Sequence, residues 1–263
     1  MNIKNKCLPV LFIGHGNPMN AIQQNRFTKK LTELGSIIPT PKSILCISAH
    51  WTTTGTMLTH MQNPKTIHDF YGFPKKLFDV QYPAPGNPSL AELIKTSIKG
   101  TKIKLDDEEW GLDHGTWSVL THIYPMAAIP VVQMSLDMTK SSEYHFKLGQ
   151  ELNALRAEGV LIIGSGNIVH NLSEMDSHPV GKAYDWAIEF DEWVKQQITT
   201  RDYSLLINQA TKTKSGKLSI PTWEHWYPLL YILGSSDPTD KLCFEYEGID
   251  HGSISMRCLS FGL

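Results

Sequence analysis

The sequence predicts an α/β fold, in which one domain has a central, mostly parallel or mixed sheet with helices on both faces. Short apolar runs rich in β-branched residues alternate with segments of helical spacing, which is the pattern of this fold class. The connections are mostly short, and no composition break or linker divides the 263 residues. A chain of this length can bury a substantial core. We therefore expect a single catalytic domain over residues 1–263.

Buried strands are predicted where short apolar runs end at glycine or at a polar residue. In chain order these runs are 8–14, 41–48, 129–136 and 160–163, with an edge strand at 102–105, a short strand or hairpin within 52–58, and closing strands at 243–246 and 255–261. The long, continuous apolar runs indicate strands that are covered on both faces of the sheet.

Helices are predicted between these strands. Asn17 is a suitable N-cap and Pro18 a suitable first residue for a helix that continues in pieces to Leu34. The other helical segments are 89–98, 119–124, 142–158 ending at Gly159, 185–198, and one that begins near 219 and includes 227–233. The segment from 63 to 88 is rich in aromatics, proline and glycine without periodicity, which predicts an ordered, functional loop.

The composition excludes several classes of partner. The net charge is −2 and the isoelectric point is about 6.6, which provides no electrostatic basis for binding nucleic acid or an anionic membrane. No apolar run approaches the ~20 residues that span a bilayer, and the first residues do not resemble a signal peptide. We expect a cytoplasmic protein, a monomer or small homo-oligomer, that acts on a small ligand.

The four cysteines are predicted to be buried, reduced thiols. Cys7, Cys46, Cys243 and Cys258 lie far apart and form no Cys-x-x-Cys pair. This distribution argues against both a metal site and a disulfide framework.

Histidines stand at the ends of several predicted elements. His15, His50 and His170 follow apolar strands, His225 lies at a predicted helix start, and His114 lies in a loop beside glycine. In an α/β sheet the strand ends share one rim, so these residues can meet. Several neutral imidazoles suit a borderline ion such as Zn²⁺ or Fe²⁺. The alternative for any one of them is a turn histidine bonded to a loop carbonyl.

The remaining histidines lack this setting. Those predicted to be surface or capping residues are His60, His122, His145, His178 and His251. His68 lies in the aromatic loop and could reach a substrate, but we expect it to form a loop hydrogen bond.

Seven short segments, taken in order, carry a resemblance to a known family. They are Gly14-His15-Gly16-x-Pro18, Ser48-Ala49-His50-Trp51, Ile67-His68-Asp69-Phe70, Tyr82-Pro83-Ala84-Pro85-Gly86, Asp113-His114-Gly115, Gly164-Ser165-Gly166-Asn167 and Pro221-Thr222-Trp223-Glu224-His225. The set resembles the DODA-type extradiol aromatic ring-opening dioxygenases. This group contains bacterial and plant 4,5-DOPA extradiol dioxygenases and is part of the protocatechuate 4,5-dioxygenase B-subunit (class III extradiol) superfamily.

The resemblance implies chemistry of a non-haem metal. A catechol such as DOPA would bind Fe(II) through both oxygens, and O₂ would be used to cleave the ring bond next to the diol. The implied metal ligands are His15, His50 and His225. His170 lines the same site and either completes a tetrahedral zinc centre or stays unligated as an acid or base. Zn(II) is plausible as the bound metal, and Fe(II) is expected for turnover.

The resemblance also implies two residues for proton transfer, His114 and His170. Imidazole titrates near neutrality and can both accept and return a proton. Asp113 either orients His114 or caps a turn. Related superfamily members use two histidines and a glutamate, so Glu224 is the alternative to His225 as third ligand. The DODA-type motif favours His225.

Two other functions remain open at the level of sequence. One is a zinc hydrolase, in which a metal-bound water attacks an ester or amide. The other is a protein that binds a metal or small ligand without catalysis. A serine hydrolase is disfavoured because Gly164-Ser165-Gly166 lacks the spacing of a nucleophile elbow. We interpret Ser165 as a small residue near a crevice.

Overall fold

The computed structural model describes residues 7–178 and 182–263 and contains a large mixed β-sheet. Its strands are β1 (Val10–Gly14), β2 (Ser43–Thr53), β3 (Thr56–Thr59), β4 (Ile103–Asp106), β5 (Val131–Asp137), β6 (Val160–Gly166), β7 (Leu242–Tyr246) and β10 (Cys258–Phe261), with a separate hairpin of β8 (Ile249–Asp250) and β9 (Ile254–Ser255).

The helices of the described residues fall between these strands. They are α1 (Arg26–Ile37), α2 (Lys75–Phe78), α3 (Pro88–Ser97), α4 (His114–Ile123), α5 (Ser142–Leu152), α6 (Asp185–Thr200), α7 (Tyr203–Gln209), α8 (Lys214–Ser219) and α9 (Tyr227–Ser235). Short 3-10 segments precede α1 and follow α5 and β6. No helix within the described ranges is long and apolar enough to cross a bilayer.

The strand order is β4-β3-β5-β2-β6-β1-β10-β7. The four central strands, β5, β2, β6 and β1, are parallel, whereas β3 and β10 run antiparallel to their central neighbours. The parallel strands are buried almost throughout, as expected for a sheet covered on both faces. The predicted mostly parallel or mixed sheet is confirmed.

Side chains of the central strands alternate between two apolar cores. Val10 and Phe12 of β1 pack with α3, α5, α6 and α9, whereas Leu11 and Ile13 pack with α1 and α4 on the other face. This alternation follows from the two-residue period of a strand. The predicted α/β fold with helices on both faces is therefore confirmed.

The first helical region is interrupted, as predicted. The Asn17 side chain accepts a hydrogen bond from the backbone N–H of Met19 and caps a 3-10 turn at Pro18–Ile22. Asn25 then caps α1 through a reciprocal pair of bonds with Thr28. Each break in the helix thus has its own cap, which satisfies otherwise unpaired N–H groups.

Three histidines have a local setting different from the prediction. His50 lies within β2, which continues to Thr53 past a shift in its register with β5. Such irregularities redirect side chains in a strand. His114 is the first residue of α4 rather than a loop residue, and His225 lies in the turn before α9 rather than at a helix start.

The loop 63–88 is ordered, as predicted, and contains the short α2 before α3 begins at Pro88. Two backbone hydrogen bonds fasten it to the segment before α4, from Ile67 to Leu112 at 2.7 Å and from Leu112 to Lys65 at 2.9 Å. The loop is therefore held against the N-terminus of α4, where His114 begins.

All four cysteines are free thiols, but they are not all buried. Cys46 and Cys258 lie in the core, and burial raises the pKa of each to about 12. Cys243 is half-buried and Cys7 is exposed. The prediction of burial is wrong for Cys7 because this residue precedes β1 and lies outside the sheet.

Candidate active site

A cavity of about 480 Å³ lies at the carboxyl ends of β1, β2 and β6. Five of the predicted site residues line it: His15, His50, His114, His170 and His225. Its wall also includes Asp69, Phe70, Tyr71, Phe73, Leu172, Met175, Glu224, Asp250, His251 and Ile254. The topology thus brings together histidines that lie up to 210 residues apart in the sequence.

Ser165 of β6 orients the imidazole of His15. Its Oγ donates its single hydrogen to the carbonyl oxygen of Gly115 at 2.6 Å, and lies 3.0 Å from Nδ1 of His15. Because the serine hydrogen is already used, Nδ1 of His15 must be the donor in this contact. Nε2 of His15 then carries no hydrogen, and it lies 3.1 Å from Nε2 of His50.

Asp69, from the loop 63–88, contacts two of the histidines. It accepts hydrogen bonds from the backbone N–H of His114 at 2.9 Å and from Nδ1 of the same residue at 2.8 Å. Nδ1 of His50 lies 3.2 Å from the same carboxylate. A carboxylate beside Nδ1 favours the tautomer protonated there, which leaves Nε2 of both rings without a hydrogen.

His225 is held by the turn before α9. Nδ1 of His225 donates to Oε1 of Glu224 at 3.1 Å, and the buried Nε2 has no hydrogen-bond partner among the described residues. The backbone N–H of Asn167 donates to the carbonyl oxygen of His225 at 3.0 Å. A Cβ at Gly166 would collide with that carbonyl, so glycine is needed for this close approach. The His170 ring stacks on the His225 ring, and their centroids lie 3.4 Å apart.

Four imidazoles of the cavity, those of His15, His50, His170 and His225, have lowered pKa values, which favours their neutral form at neutral pH. Burial lowers the pKa values of His15, His50 and His170, and the neighbouring imidazoles lower them further. Burial also lowers the pKa of His225, although Glu224 opposes the shift. Neutral imidazole is the form that binds metals.

This donor set fits a divalent metal. Two groups of side chains have ligand atoms that all lie within 4.8 Å of one another: His15, His50 and His114, and His170, Glu224 and His225. Nε2 atoms without hydrogens that face one another lack a favourable partner, and a cation supplies one. Buried polar atoms without partners are rare in proteins, and a ligand commonly accounts for them.

Comparison with known proteins shows the family to which the chain belongs. The family described as the catalytic LigB subunit of aromatic ring-opening dioxygenase matches residues 10–251. The chain belongs to this family. The expected enzyme class, an extradiol dioxygenase, is thereby confirmed.

Proteins similar to this dioxygenase align with nearly the whole length of the chain. A 4,5-DOPA dioxygenase extradiol of Escherichia coli K12 is 44% identical over 97% of this chain and 95% of its own. One of Beta vulgaris is 38% identical over 95% of both chains. A crystal structure of an uncharacterized Escherichia coli K12 protein has a TM-score of 0.85 at 41% identity, covering 97% of this chain and all of that one.

Asp113 does not orient His114 in this dioxygenase. Its side chain caps α4 through the backbone N–H of Thr116 and accepts a hydrogen bond from Ser48 at 2.6 Å. Burial, followed by the nearby charge of Asp69, raises the pKa of Asp113 to about 6. Of the two roles considered from sequence, capping is therefore the observed one, and Asp69 contacts His114 instead.

The other histidines follow the prediction only in part. His60 and His178 are surface residues, and His68 bonds the carbonyl oxygen of Val80 at 3.0 Å, as predicted for a loop histidine. His122 and His145, in contrast, are buried in the protein. The prediction of a surface or capping role rests on the lack of a strand-end setting, and that setting does not determine whether a residue of a helix is buried.

The sequence did not predict the roles of three residues of the site. His251 was predicted to be a surface or capping residue, but it lines the cavity with a φ of 52°. Asp69 lies in one of the segments that carry the family resemblance and in a loop of unusual composition, but no role was assigned to it. Ser165 was interpreted as a small residue near a crevice, whereas its hydroxyl selects the tautomer of His15. None of these contacts is local in sequence.

Proposed function

We propose that the protein opens the ring of a catechol such as DOPA with O₂, at the bond next to the diol. The observation that carries this proposal is the meeting of Nε2 atoms without hydrogens in one aromatic-walled cavity, from His15, His50 and His225. The names of the relatives, 4,5-DOPA dioxygenase extradiol, support the choice of substrate. The family match favours this function over a zinc hydrolase or a non-catalytic binder.

We assign the metal to His15, His50 and His225. Extradiol dioxygenases of this family are metal-dependent. Glu224 is the less suitable third ligand because its Oε1 accepts hydrogen bonds from Nδ1 of His225 and from Thr222, which is the position of a carboxylate that orients a metal-bound histidine. His170 either completes the ligand set or acts as an acid or base. Fe(II) is the proposed metal for turnover, and Zn(II) suits the same imidazoles.

When bound, Fe(II) supplies coordination of the diol and activation of O₂. The catechol must lose protons as it binds, and ring opening requires that a proton be returned. His114 is placed to transfer protons because Asp69 holds its Nδ1–H and leaves Nε2 able to accept. His170 is the second candidate, since it lines the cavity beside His225.

The aromatic residues of the loop 63–88 would position a flat substrate and exclude water. The Phe70 ring lies 5.5 Å from that of His114 in an edge-to-face arrangement, and Phe73 packs on Phe70 at 5.3 Å. Aromatic rings favour such offset or edge-on contacts with another ring. The same loop carries Asp69, so one segment orients both substrate and imidazole.

Oxygen consumption tests the proposal. Protein loaded anaerobically with Fe(II) and mixed with DOPA and O₂ should consume O₂ as a yellow semialdehyde forms. Absence of both across a panel of catechols, with iron confirmed in the protein, would contradict it. Anaerobic hydrolysis of an ester or amide would favour the hydrolase. The single catalytic domain over 1–263, the cytoplasmic location and the monomeric or small homo-oligomeric state stay predictions.

A further inference from the structure

Apart from its histidines, the charged residues that line the described part of the cavity are all carboxylates. Among the described residues that line it, the carboxylates are Asp69, Glu224 and Asp250, and none is lysine or arginine. The buried Nε2 of His225 has no partner among those residues, and the ring centroids of His15 and His170 lie 5.4 Å and 3.4 Å from that of His225. This group of imidazoles marks the cavity as a ligand site independently of its charge. A substrate that enters it therefore meets carboxylates and imidazoles, and no lysine or arginine among the described lining residues.

Two of the three carboxylates are engaged within the site. Asp69 accepts hydrogen bonds from His114, and Glu224 accepts them from Thr222 and His225. The side chain of Asp250 has no hydrogen bond or ion pair within the described part of the chain, although it is half-buried. Burial raises the pKa of Asp250, because its charged form is less well solvated than in water, and the neighbouring His251 partly opposes this shift.

The hairpin that carries Asp250 is fixed relative to the histidines. Asp250 of β8 pairs with Ile254 of β9, and Ile254 in turn forms a bridge to His170. The next residue, His251, donates from Nδ1 to the carbonyl oxygen of Asp176 at 2.9 Å. Asp250, which lines the cavity, is thus held in a segment that is anchored on both sides.

We propose that Asp250 forms a subsite for a cationic amine on the side chain of the catechol. This inference rests on the proposed function and specifies its substrate class. An ammonium group beside Asp250 gains an ion pair in a partly desolvated setting. A side-chain carboxylate at the same place meets like charge, and no lysine or arginine among the described lining residues offsets it. The site therefore prefers catechol amines to neutral catechols, and neutral catechols to catechol acids.

A substrate series tests the subsite. The Fe(II)-loaded protein is assayed with dopamine, 4-methylcatechol and 3,4-dihydroxyphenylacetate, which differ in the charge of the side chain. We expect kcat/KM to fall in that order. Asp250→Asn should lower kcat/KM for dopamine by about threefold to tenfold, leave 4-methylcatechol within about twofold, and raise the value for the acid.

Asp176→Asn is the matched control. It removes the same charge beside the same hairpin, but its side chain does not line the cavity. We expect this variant to keep the wild-type order and ratios. Equal kcat/KM for amine and acid in the wild type, or an equal effect of both substitutions, would overturn the assignment of Asp250.

A binding measurement separates this inference from the proposed function. Tyramine and 4-hydroxyphenylacetate are titrated into the Zn(II)-loaded protein by calorimetry, which requires no turnover. Tighter binding of tyramine that is lost in Asp250→Asn supports the subsite even if no catechol is cleaved. Turnover of 4-methylcatechol without any preference for amines refutes the subsite and leaves the proposed function standing.

Discussion

His145 and His225 are both buried, and Nε2 of each has no hydrogen-bond partner among the described residues. The His145 ring packs between α5 and α9, stacked on Tyr227 at 3.9 Å, with Nδ1 3.1 Å from the Tyr231 hydroxyl. The His225 ring lies in the cavity, 5.4 Å from that of His15. A buried imidazole with a free nitrogen is thus not sufficient to indicate a ligand site, and the approach of other imidazoles distinguishes the two.

The largest expected effect is loss of metal from the cavity. His225→Ala and His15→Ala should each abolish O₂ consumption and retain little Fe(II) or Zn(II) after dialysis, because each removes a proposed ligand. The loss should exceed the roughly 10- to 100-fold that removal of an orienting partner causes. His145→Gln should retain the metal. Metal content by mass spectrometry measures the difference, and equal losses in all three variants would contradict the distinction.

The next largest effect concerns His114. His114→Gln should keep the bound metal while kcat falls roughly 100- to 10,000-fold, because the variant cannot transfer a proton. Metal content and initial rates of O₂ uptake are measured on the same sample. Loss of metal would instead identify His114 as a ligand, in the group that it forms with His15 and His50. Unchanged turnover would remove it from the mechanism.

The pH dependence of stability should separate His145 from a surface histidine. Burial, partly opposed by Asp137, lowers the pKa of His145 to about 4. The unfolded chain takes up this proton near its ordinary pKa of about 6.5. Between these pH values the unfolded state holds more protons, so the free energy of unfolding decreases as pH falls, by about 3 kcal/mol for this residue.

Urea unfolding of the metal-free protein between pH 4 and 7.5 measures this decrease. His145→Gln should show a shallower decrease than the wild type, whereas His178→Gln, at an exposed position, should follow the wild type. The cavity histidines contribute equally in all three proteins. A wild-type slope in His145→Gln would show that the residue is protonated without cost in the folded protein.

The smallest effect is expected from the carboxylates behind the ligands. Asp69→Asn and Glu224→Gln should each weaken metal binding by roughly 10-fold, within the range found for partners of metal-bound histidines. Competition with a chelator measures the affinity. If Glu224→Gln loses the metal as completely as His225→Ala, Glu224 is the ligand and the assignment of His225 is wrong.

Local sequence patterns determined the secondary structure and the cluster of candidate histidines. The apolar run before His15 predicts a buried strand, and Asn17-Pro18 predicts a helical start, because strand burial and capping depend on residues close in sequence. Five of the six histidines that line the cavity could be proposed together because the ends of parallel strands share one rim. The alternation of strands and helices predicts a parallel sheet, and in such a sheet the strand ends lie at one rim.

Only the tertiary structure decided how the candidates work. The tautomer of His15 depends on Ser165, 150 residues away, and Asp69 reaches His114 from a loop without periodicity. His145 and His225 differ only in what surrounds them after folding. Side-chain orientation, burial and charge arise from contacts between distant segments, and the sequence reports those contacts only through the fold that creates them.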